Sequence, residues 1–212
     1  MPLNIIESAL TAGTDGIIGQ PELGGADLEI DLPHGVVRFF TPSDCQPSEL
    51  AYWARRDIVH SIELTPFQAD QNRIFGPVSI NGVRFRALFD TGAPTTGLTA
   101  KTAELAGVTP QSPGVVESGF IKGIGPAQLK NWTGHFTSFE VGGETIANPI
   151  FDFSDKTNAS ADLILGADFF RRHRVYVAKR QHVLAFTDEG VDMFGIDWNQ
   201  PVATAAGEAR PH

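Results

Sequence analysis

Cysteine, long apolar runs and basic residues are all scarce in this chain. The single cysteine, Cys45, excludes an intrachain disulfide and provides no cysteine spacing for a metal site. No run of about 18 apolar residues occurs, so the sequence predicts no membrane-spanning helix. Lys and Arg number 16 against 25 Asp and Glu, and the resulting net charge of −9 argues against a general nucleic-acid-binding protein.

Several catalytic and cofactor patterns are absent as well. The six histidines are scattered, without an HExxH motif or a close pair, which argues against a metal site. No GxSxG motif or Cys–His arrangement marks a nucleophile. The glycine-rich stretch at 123–128 departs from the dinucleotide-binding pattern GxGxxG because Gln128 stands at the third glycine position. The sequence therefore predicts neither a metal nor an organic cofactor.

Glycine and proline, by contrast, are plentiful. The chain has 22 Gly and 14 Pro, which imply many turns and favour short strands over long helices. Its 212 residues, of which 42% are hydrophobic, suffice for a sizeable core in one large domain or two small ones. An all-β fold is the expectation.

Two segments of the chain resemble each other at constant spacing. Residues 15–19 match 162–166, and the alternating segments at 28–39 match those at 175–186, with one offset throughout (162 − 15 = 147). Self-similarity of this kind indicates a duplicated unit. The alternative is a chance match, because an apolar pair ending in Gly and followed by a hairpin is common in β proteins.

The sequence Asp90-Thr91-Gly92 occurs once and lies between the two matching segments. Its counterpart would lie at position −57 (90 − 147), before the first residue. We therefore expect residues 1–41 to be the C-terminal half of a duplicated unit, 42–57 to be a connector rich in turn formers, and 58–190 to be a complete second unit. Residues 191–212 lose periodicity and are expected to form an irregular tail. Either the natural protein is longer at its N-terminus or the front half was lost.

Local patterns place Asp90 directly after a hairpin. Residues 78–86 alternate around the turn Asn81-Gly82, a strong hairpin signal, and the hairpin runs into the apolar residues before Asp90. After the motif, Thr99 is expected to cap a short helix that Gly107 ends.

Two motifs together resemble the retropepsin-like family of aspartic proteases. They are Leu88-Phe89-Asp90-Thr91-Gly92-Ala93 and Ile164-Leu165-Gly166. The likeness is greatest to bacterial members, which often have Gly-x-Asp-Phe-Leu where this chain has Gly166-Ala167-Asp168-Phe169-Phe170. The resemblance implies a closed β-barrel or sandwich with one or two short helices over residues 58–190. Because bacterial members are often exported, it favours a periplasmic or secreted location over the cytoplasm.

The resemblance also implies roles for individual residues. Asp90 would be the catalytic carboxylate of an endopeptidase. Thr91, Gly92 and Ala93 would complete the active-site loop, in which Gly92 leaves room beside the carboxylate. Gly123, Ile124 and Gly125 would form the tip of a flap that closes over a bound peptide. Pro126 departs from the family pattern because it stiffens the flap just past its tip.

The chemistry of this family needs two carboxylates that share a proton, and the motif supplies one of them. The second would come from Asp90 of another copy in a homodimer, or from a missing upstream lobe. The expected partners are a second copy and a peptide or protein substrate. The alternative function is a non-proteolytic module of the same fold, used for dimerisation or peptide binding. Asp168 precedes a short predicted helix and is interpreted as a helix cap.

Overall fold

The computed structural model describes residues 18–19, 23, 25–54, 58–66, 73–122, 128–156 and 160–190. In chain order the strands are β1 (Asp27–Asp31), β2 (Val36–Phe40), β3 (His60–Glu63), β4 (Ile74–Ile80), β5 (Val83–Phe89), β6 (Gly97–Thr99), β7 (Val116–Lys122), β8 (Gln128–His135), β9 (Ser138–Val141), β10 (Glu144–Ala147), β11 (Ile150–Ser154), β12 (Leu163–Leu165), β13 (His173–Ala178) and β14 (Val183–Asp188). The helices are α1 (Pro47–Leu50), α2 (Ala100–Leu105) and α3 (Ala167–Arg172). The all-β expectation is confirmed.

These strands form two sheets. The smaller has the order β2-β1-β13-β14-β3, and the larger has the order β10-β9-β4-β5-β12-β6-β11-β8-β7. Both are open, so of the two expected arrangements, a closed barrel or a sandwich, the described strands do not form the closed barrel. The end strand β7 pairs with β8 and leaves Val116 and Phe120 59% and 65% exposed, whereas β10 pairs with β9 at the opposite end. Because the two end strands do not meet, the larger sheet does not close.

The hairpin that leads to Asp90 forms as the sequence predicts. β4 and β5 are antiparallel, with Ile80 opposite Val83 across the turn. Asn81 and Gly82 both have positive φ angles, 51° and 77°, as a tight two-residue hairpin turn requires. The expected capping of α2 is also confirmed, because the Thr99 hydroxyl accepts a hydrogen bond from the Thr102 N–H over 3.0 Å.

The larger of the two apolar clusters among the described residues contains side chains from both sheets. Its largest fully buried side chains are aromatic: Phe139, Phe151, Phe153, Phe169, Phe170 and Phe186. Full burial of a side chain of this size contributes about 1.5–3 kcal/mol to the stability of the fold. The Phe169 ring meets the Phe89 ring edge to face at 5.7 Å, which packs α3 directly against the strand that precedes Asp90.

The two hairpins of the sequence repeat pair with each other in the smaller sheet. β1 runs antiparallel to β13, and Glu29 lies opposite Tyr176. Leu28 and Ile30 join the core, while Glu29 is fully buried on the other face. There it accepts hydrogen bonds from the Arg38 guanidinium and, over 2.7 Å, from Arg174 Nη2.

The segment expected to be a connector packs on that same face. Leu50 and Ala51 are buried, and Leu50 clusters with Tyr176. The Tyr52 hydroxyl donates to Glu29 Oε2 over 2.6 Å, and Trp53 Nε1 donates to a threonine of β14 over 2.8 Å. Residues 50–53 therefore pack on the small sheet, while the domain boundaries themselves stay a prediction.

Candidate active site

Asp90 directly follows the last residue of β5, where β5 and β12 run side by side. The two strands are parallel, with Phe89 opposite Leu165. The Asp90 N–H donates to the Leu165 carbonyl over 2.9 Å, which ties the backbone of Asp90 to the neighbouring strand. The Asp-Thr-Gly motif and the apolar-apolar-Gly motif, which are far apart in sequence, are therefore adjacent in the fold.

The half-buried Asp90 side chain is held by its own loop. Its Oδ1 accepts a hydrogen bond from the Gly92 N–H over 2.9 Å, and the Ala93 N–H donates to the Asp90 carbonyl over 3.2 Å. A Cβ added at Gly92 would lie 3.0 Å from the same Oδ1. Glycine at this position therefore leaves the carboxylate oxygen free of a steric contact while the backbone N–H fixes its orientation.

The predicted site residues fall into two groups. Asp90, Thr91, Gly92 and Ala93 lie together in one loop, with Thr91 and Gly92 exposed and Ala93 half-buried. The predicted flap tip, Gly123, Ile124 and Gly125, lies outside the described residues, although β7 and β8 on either side of it are described.

Gly166 is the point at which the second motif comes closest to the Asp90 loop. A Cβ added there would lie 2.5 Å from both the carbonyl carbon and the oxygen of Thr95, and 2.8 Å from the Ala93 oxygen. The next residue, Ala167, donates its N–H to that Ala93 oxygen over 2.7 Å. Only glycine fits between these backbone atoms, and the close approach fixes the far end of the loop.

A buried pair of polar side chains, Thr96 and Asp168, holds the loop from the other side. The Thr96 hydroxyl donates to Asp168 Oδ1 over 2.7 Å, and the Thr96 N–H donates to Oδ2 over 2.7 Å. The same hydroxyl accepts from the Gly166 N–H over 3.1 Å. Three segments therefore meet at the Thr96 hydroxyl: the Asp90 loop, the apolar-apolar-Gly motif and α3.

Asp168 is not the helix cap that the sequence suggested. The N-cap of α3 is Gly166, and Asp168 is the second helical residue, 5% exposed. Burial raises the pKa of its carboxyl, although hydrogen bonds from Thr96 and Phe169 oppose this effect. The available signal was an aspartate next to Ala167 and two phenylalanines, since a charged residue in an apolar segment needs a buried polar partner.

Glu144, His173 and Asp188 form a separate cluster of titratable side chains. One carboxylate oxygen or imidazole nitrogen from each of them lies within 4.8 Å of the others. His173 Nε2 lies 2.8 Å from Glu144 Oε2, and His173 Nδ1 lies 2.8 Å from the Phe169 carbonyl oxygen. Arg172 Nη2 donates to Asp188 Oδ2 over 2.6 Å. Since a guanidinium and an imidazole nitrogen already contact these carboxylate oxygens, the arrangement suits a hydrogen-bonded network better than a cation site.

Residues 76–169 match the family model described as aspartyl protease. The match begins in β4, ends in α3 and contains both Asp90 and Gly166. It confirms the resemblance to aspartic proteases that the two motifs indicated. A comparison with curated proteins gives no match.

Solved structures that are similar to the chain include three aspartic protease folds. A retropepsin-like aspartic protease from Rickettsia conorii is 16% identical with a TM-score of 0.46, and the alignment covers 62% of this chain and 92% of that one. The EIAV protease complexed with the inhibitor HBY-793 is 20% identical with a TM-score of 0.39, covering 50% and 92%. The retroviral protease-like domain of Ddi1 from Leishmania major is 22% identical with a TM-score of 0.41, covering 61% and 98%.

Proposed function

We propose that this chain, whose residues 76–169 match the aspartyl protease family, contributes Asp90 to the two-carboxylate site of an aspartic endopeptidase. The observation that carries the proposal is the position of Asp90. It lies at the end of β5, its backbone N–H is bonded to Leu165, and its Oδ1 is oriented by the Gly92 N–H. A half-buried carboxylate on a rigid loop is suited to act on a water molecule between itself and a second carboxylate.

The proposed reaction is hydrolysis of a peptide bond. One carboxylate of the pair is ionised and takes a proton from water as the water oxygen attacks the amide carbonyl carbon. The other is protonated and donates its proton to the carbonyl oxygen, which gives a tetrahedral diol. As the C–N bond breaks, the first carboxyl gives the proton that it took from water to the leaving amine, and the second takes a proton back from a diol oxygen. The hydrogen bond from Gly92 keeps Asp90 Oδ1 in place, so little reorganisation is needed during the reaction.

The second carboxylate belongs to a second Asp-Thr-Gly loop. The hydrogen bond described for the Asp90 carboxylate comes from the Gly92 N–H of its own loop and not from another carboxyl group. The exposed Thr91 is available to contact a facing loop, and the flap residues Gly123, Ile124 and Gly125 would close over the bound peptide. The facing loop comes either from a second copy, which makes the active unit a homodimer, or from a further lobe.

A non-proteolytic module is the second candidate. It is favoured because the described Asp90 loop presents one carboxylate, whereas the proteolytic mechanism needs two that share a proton. Such a module would bind peptides or dimerise without cleaving a substrate.

Peptide cleavage and solution mass separate the two candidates. The full chain is assayed with a peptide mixture between about pH 4 and 7, where a shared-proton pair works, over a range of protein concentrations. Cleavage that rises with the dimer fraction and is lost in Asp90→Asn supports a homodimeric protease. Cleavage that Asp90→Asn leaves unchanged overturns the proposal. If the full chain cleaves nothing at any concentration, the same assay is made on a protein that carries a second Asp-Thr-Gly loop in an added lobe. Absence of cleavage by that protein as well overturns the proposal.

A further inference from the structure

The two hairpins of the repeat are related by a local twofold axis at the centre of the small sheet. The offset of 147 makes Glu29 the counterpart of Tyr176, and these two residues face each other across β1 and β13. On either side, Leu28 lies opposite Val177 and Ile30 lies opposite Val175. By the same offset, Val175 is the counterpart of Leu28 and Val177 is the counterpart of Ile30. A twofold axis between Glu29 and Tyr176 therefore exchanges the two pairs.

Residues related by this axis differ sharply in burial. In the second copy Leu184 and Phe186 are 0% exposed and lie in the apolar core. Their counterparts in the first copy, Val37 and Phe39 on β2, are 50% and 59% exposed.

Ile18 shows the same difference. It is 73% exposed, although its counterpart Leu165 in the apolar-apolar-Gly motif is 0% exposed. The apolar sequence is thus repeated, while among the described residues these apolar side chains are covered on one side of the axis only. An exposed apolar face of this kind marks an interaction surface.

The strand order has the same asymmetry. On one side of the axis β14 pairs with β3 along His60–Glu63. On the other side, among the described strands, β2 pairs with β1 and its outer edge has no neighbour. The twofold axis relates β2 to β14, so the missing neighbour corresponds to a strand like β3. An exposed strand edge is a template for a further strand.

We propose that Ile18, Val37, Phe39 and the free edge of β2 seat a second lobe of the same retropepsin-like fold. That lobe uses the β1–β2 hairpin as its own final hairpin and adds a strand to β2, so that the sheet gains a sixth strand. It brings its own Asp-Thr-Gly loop to face Asp90 across the twofold axis. This inference rests on the proposed function for the role of that loop, and on the pairing and burial of the hairpins for its position.

A second copy of the chain does not satisfy these requirements. In each copy, β13 is already paired with β1, and β14 with β3. A second copy can place its hairpin on this axis only if it displaces β1 from β13. Such a displacement would separate the buried Glu29 from Arg174, to which it is hydrogen-bonded at 2.7 and 3.0 Å. The occupant is therefore a lobe that is completed by β1–β2.

The test uses a two-lobed protein in which residues 58–161 replace residues 1–14, so that residue 161 joins residue 15 as the offset dictates. Cys45, the single cysteine, is replaced by Cys45→Ser, and Phe39→Cys introduces a thiol on the proposed seat. The rate of thiol modification is measured in the two-lobed protein and in the full chain. Leu105→Cys, on the exposed face of α2 (58% exposed), is the matched control.

The proposal predicts that the Phe39→Cys thiol reacts as fast as the control thiol in the full chain and at least about tenfold more slowly in the two-lobed protein, because a buried thiol is inert. Equal rates in both proteins overturn the proposal. So does protection in the full chain at concentrations where its mass is that of two chains, because a second copy then covers the face. This second measurement uses the full chain alone, so its result remains valid even if the two-lobed protein does not fold.

The readout separates this proposal from the proposed function. If the second lobe protects the Phe39→Cys thiol but no peptide is cleaved, the seat is correct and the protease proposal fails. If a homodimer of the full chain cleaves peptide with that thiol still reactive, the protease proposal holds and the seat is wrong. Asp90→Asn in both lobes should abolish cleavage without changing the protection.

Discussion

The Thr96 hydroxyl lies 2.7 Å from Asp168 Oδ1, and this buried contact joins the Asp90 loop to helix α3. Neither residue belongs to the Asp-Thr-Gly motif. They act on Asp90 through the loop backbone, since the Thr96 N–H also donates to Asp168. The position of the carboxylate therefore depends on a polar pair that lies outside the motif.

The first prediction concerns this pair. Asp168→Asn replaces one acceptor oxygen with an NH₂ group that faces the Thr96 N–H or hydroxyl, so a buried donor loses its partner. We expect the free energy of unfolding to fall by about 1–3 kcal/mol, measured by urea denaturation at neutral pH. The exposed Asp155→Asn is the control and should change it by less than about 0.5 kcal/mol. An Asp168→Asn protein as stable as the parent would contradict the assigned role.

The second prediction concerns the close approach at Gly166. Gly166→Ala places a methyl group 2.5 Å from the Thr95 backbone, which cannot move without distorting the Asp90 loop. Destabilisation of about 1–3 kcal/mol or more is expected from this overpacking. Gly97→Ala, on the adjacent strand β6, is the matched control because its nearest heavy atom would be 4.0 Å away. Similar unfolding midpoints for the two variants would show that the approach is not tight.

The third prediction concerns Glu29, which is fully buried between Arg38 and Arg174. Glu29→Gln leaves the Arg38 guanidinium without its counter-charge and leaves Arg174 with that of Asp31 alone, whose Oδ2 lies 3.3 Å from Arg174 Nε. It should lower the free energy of unfolding by about 1–3 kcal/mol. Glu117→Gln removes a carboxylate from an ion pair with Lys130 whose side chains are 50% and 41% exposed, and should cost less than about 0.5 kcal/mol. Equal effects in chemical denaturation would mean that the β1–β13 pairing does not depend on Glu29.

The fourth prediction concerns the pH dependence of stability at Asp188. Burial raises the pKa of this carboxyl, but hydrogen bonds from the Gly190 N–H and the Arg172 guanidinium outweigh burial and lower it below 3.8. Since the folded pKa is depressed, its contribution to stability is present above about pH 4 and is lost as the pH falls through the folded pKa. The difference in unfolding free energy between the parent and Asp188→Asn should therefore shrink in acid. A difference that is constant from pH 7 to 3 would rule out this contribution.

Much of the fold was accessible from sequence because its signals are local. Asn81-Gly82 predicts a tight hairpin, and Thr99 caps α2, since both depend only on neighbouring backbone. By contrast, the bond between Thr96 and Asp168 joins residues whose partners only the tertiary fold defines.

The open sheets illustrate the same limit. A closed barrel and an open sheet have the same alternation along each strand, so pattern alone does not distinguish them. The repeat at an offset of 147 was visible in sequence, but the antiparallel pairing of its two hairpins at Glu29 and Tyr176 was not. That pairing is a non-local contact, and it is what relates the exposed Phe39 to the buried Phe186.

The most direct test of the central claim is the rate of peptide cleavage at about pH 5 by the two-lobed protein, with and without Asp90→Asn in the lobe formed by residues 58–190. We predict cleavage by the parent and a loss on the order of a thousandfold or more in the variant, because one carboxylate of the pair is then missing. Cleavage at the same rate in both, or a two-lobed protein that buries Phe39 and cleaves no peptide, would contradict the claim that Asp90 is catalytic.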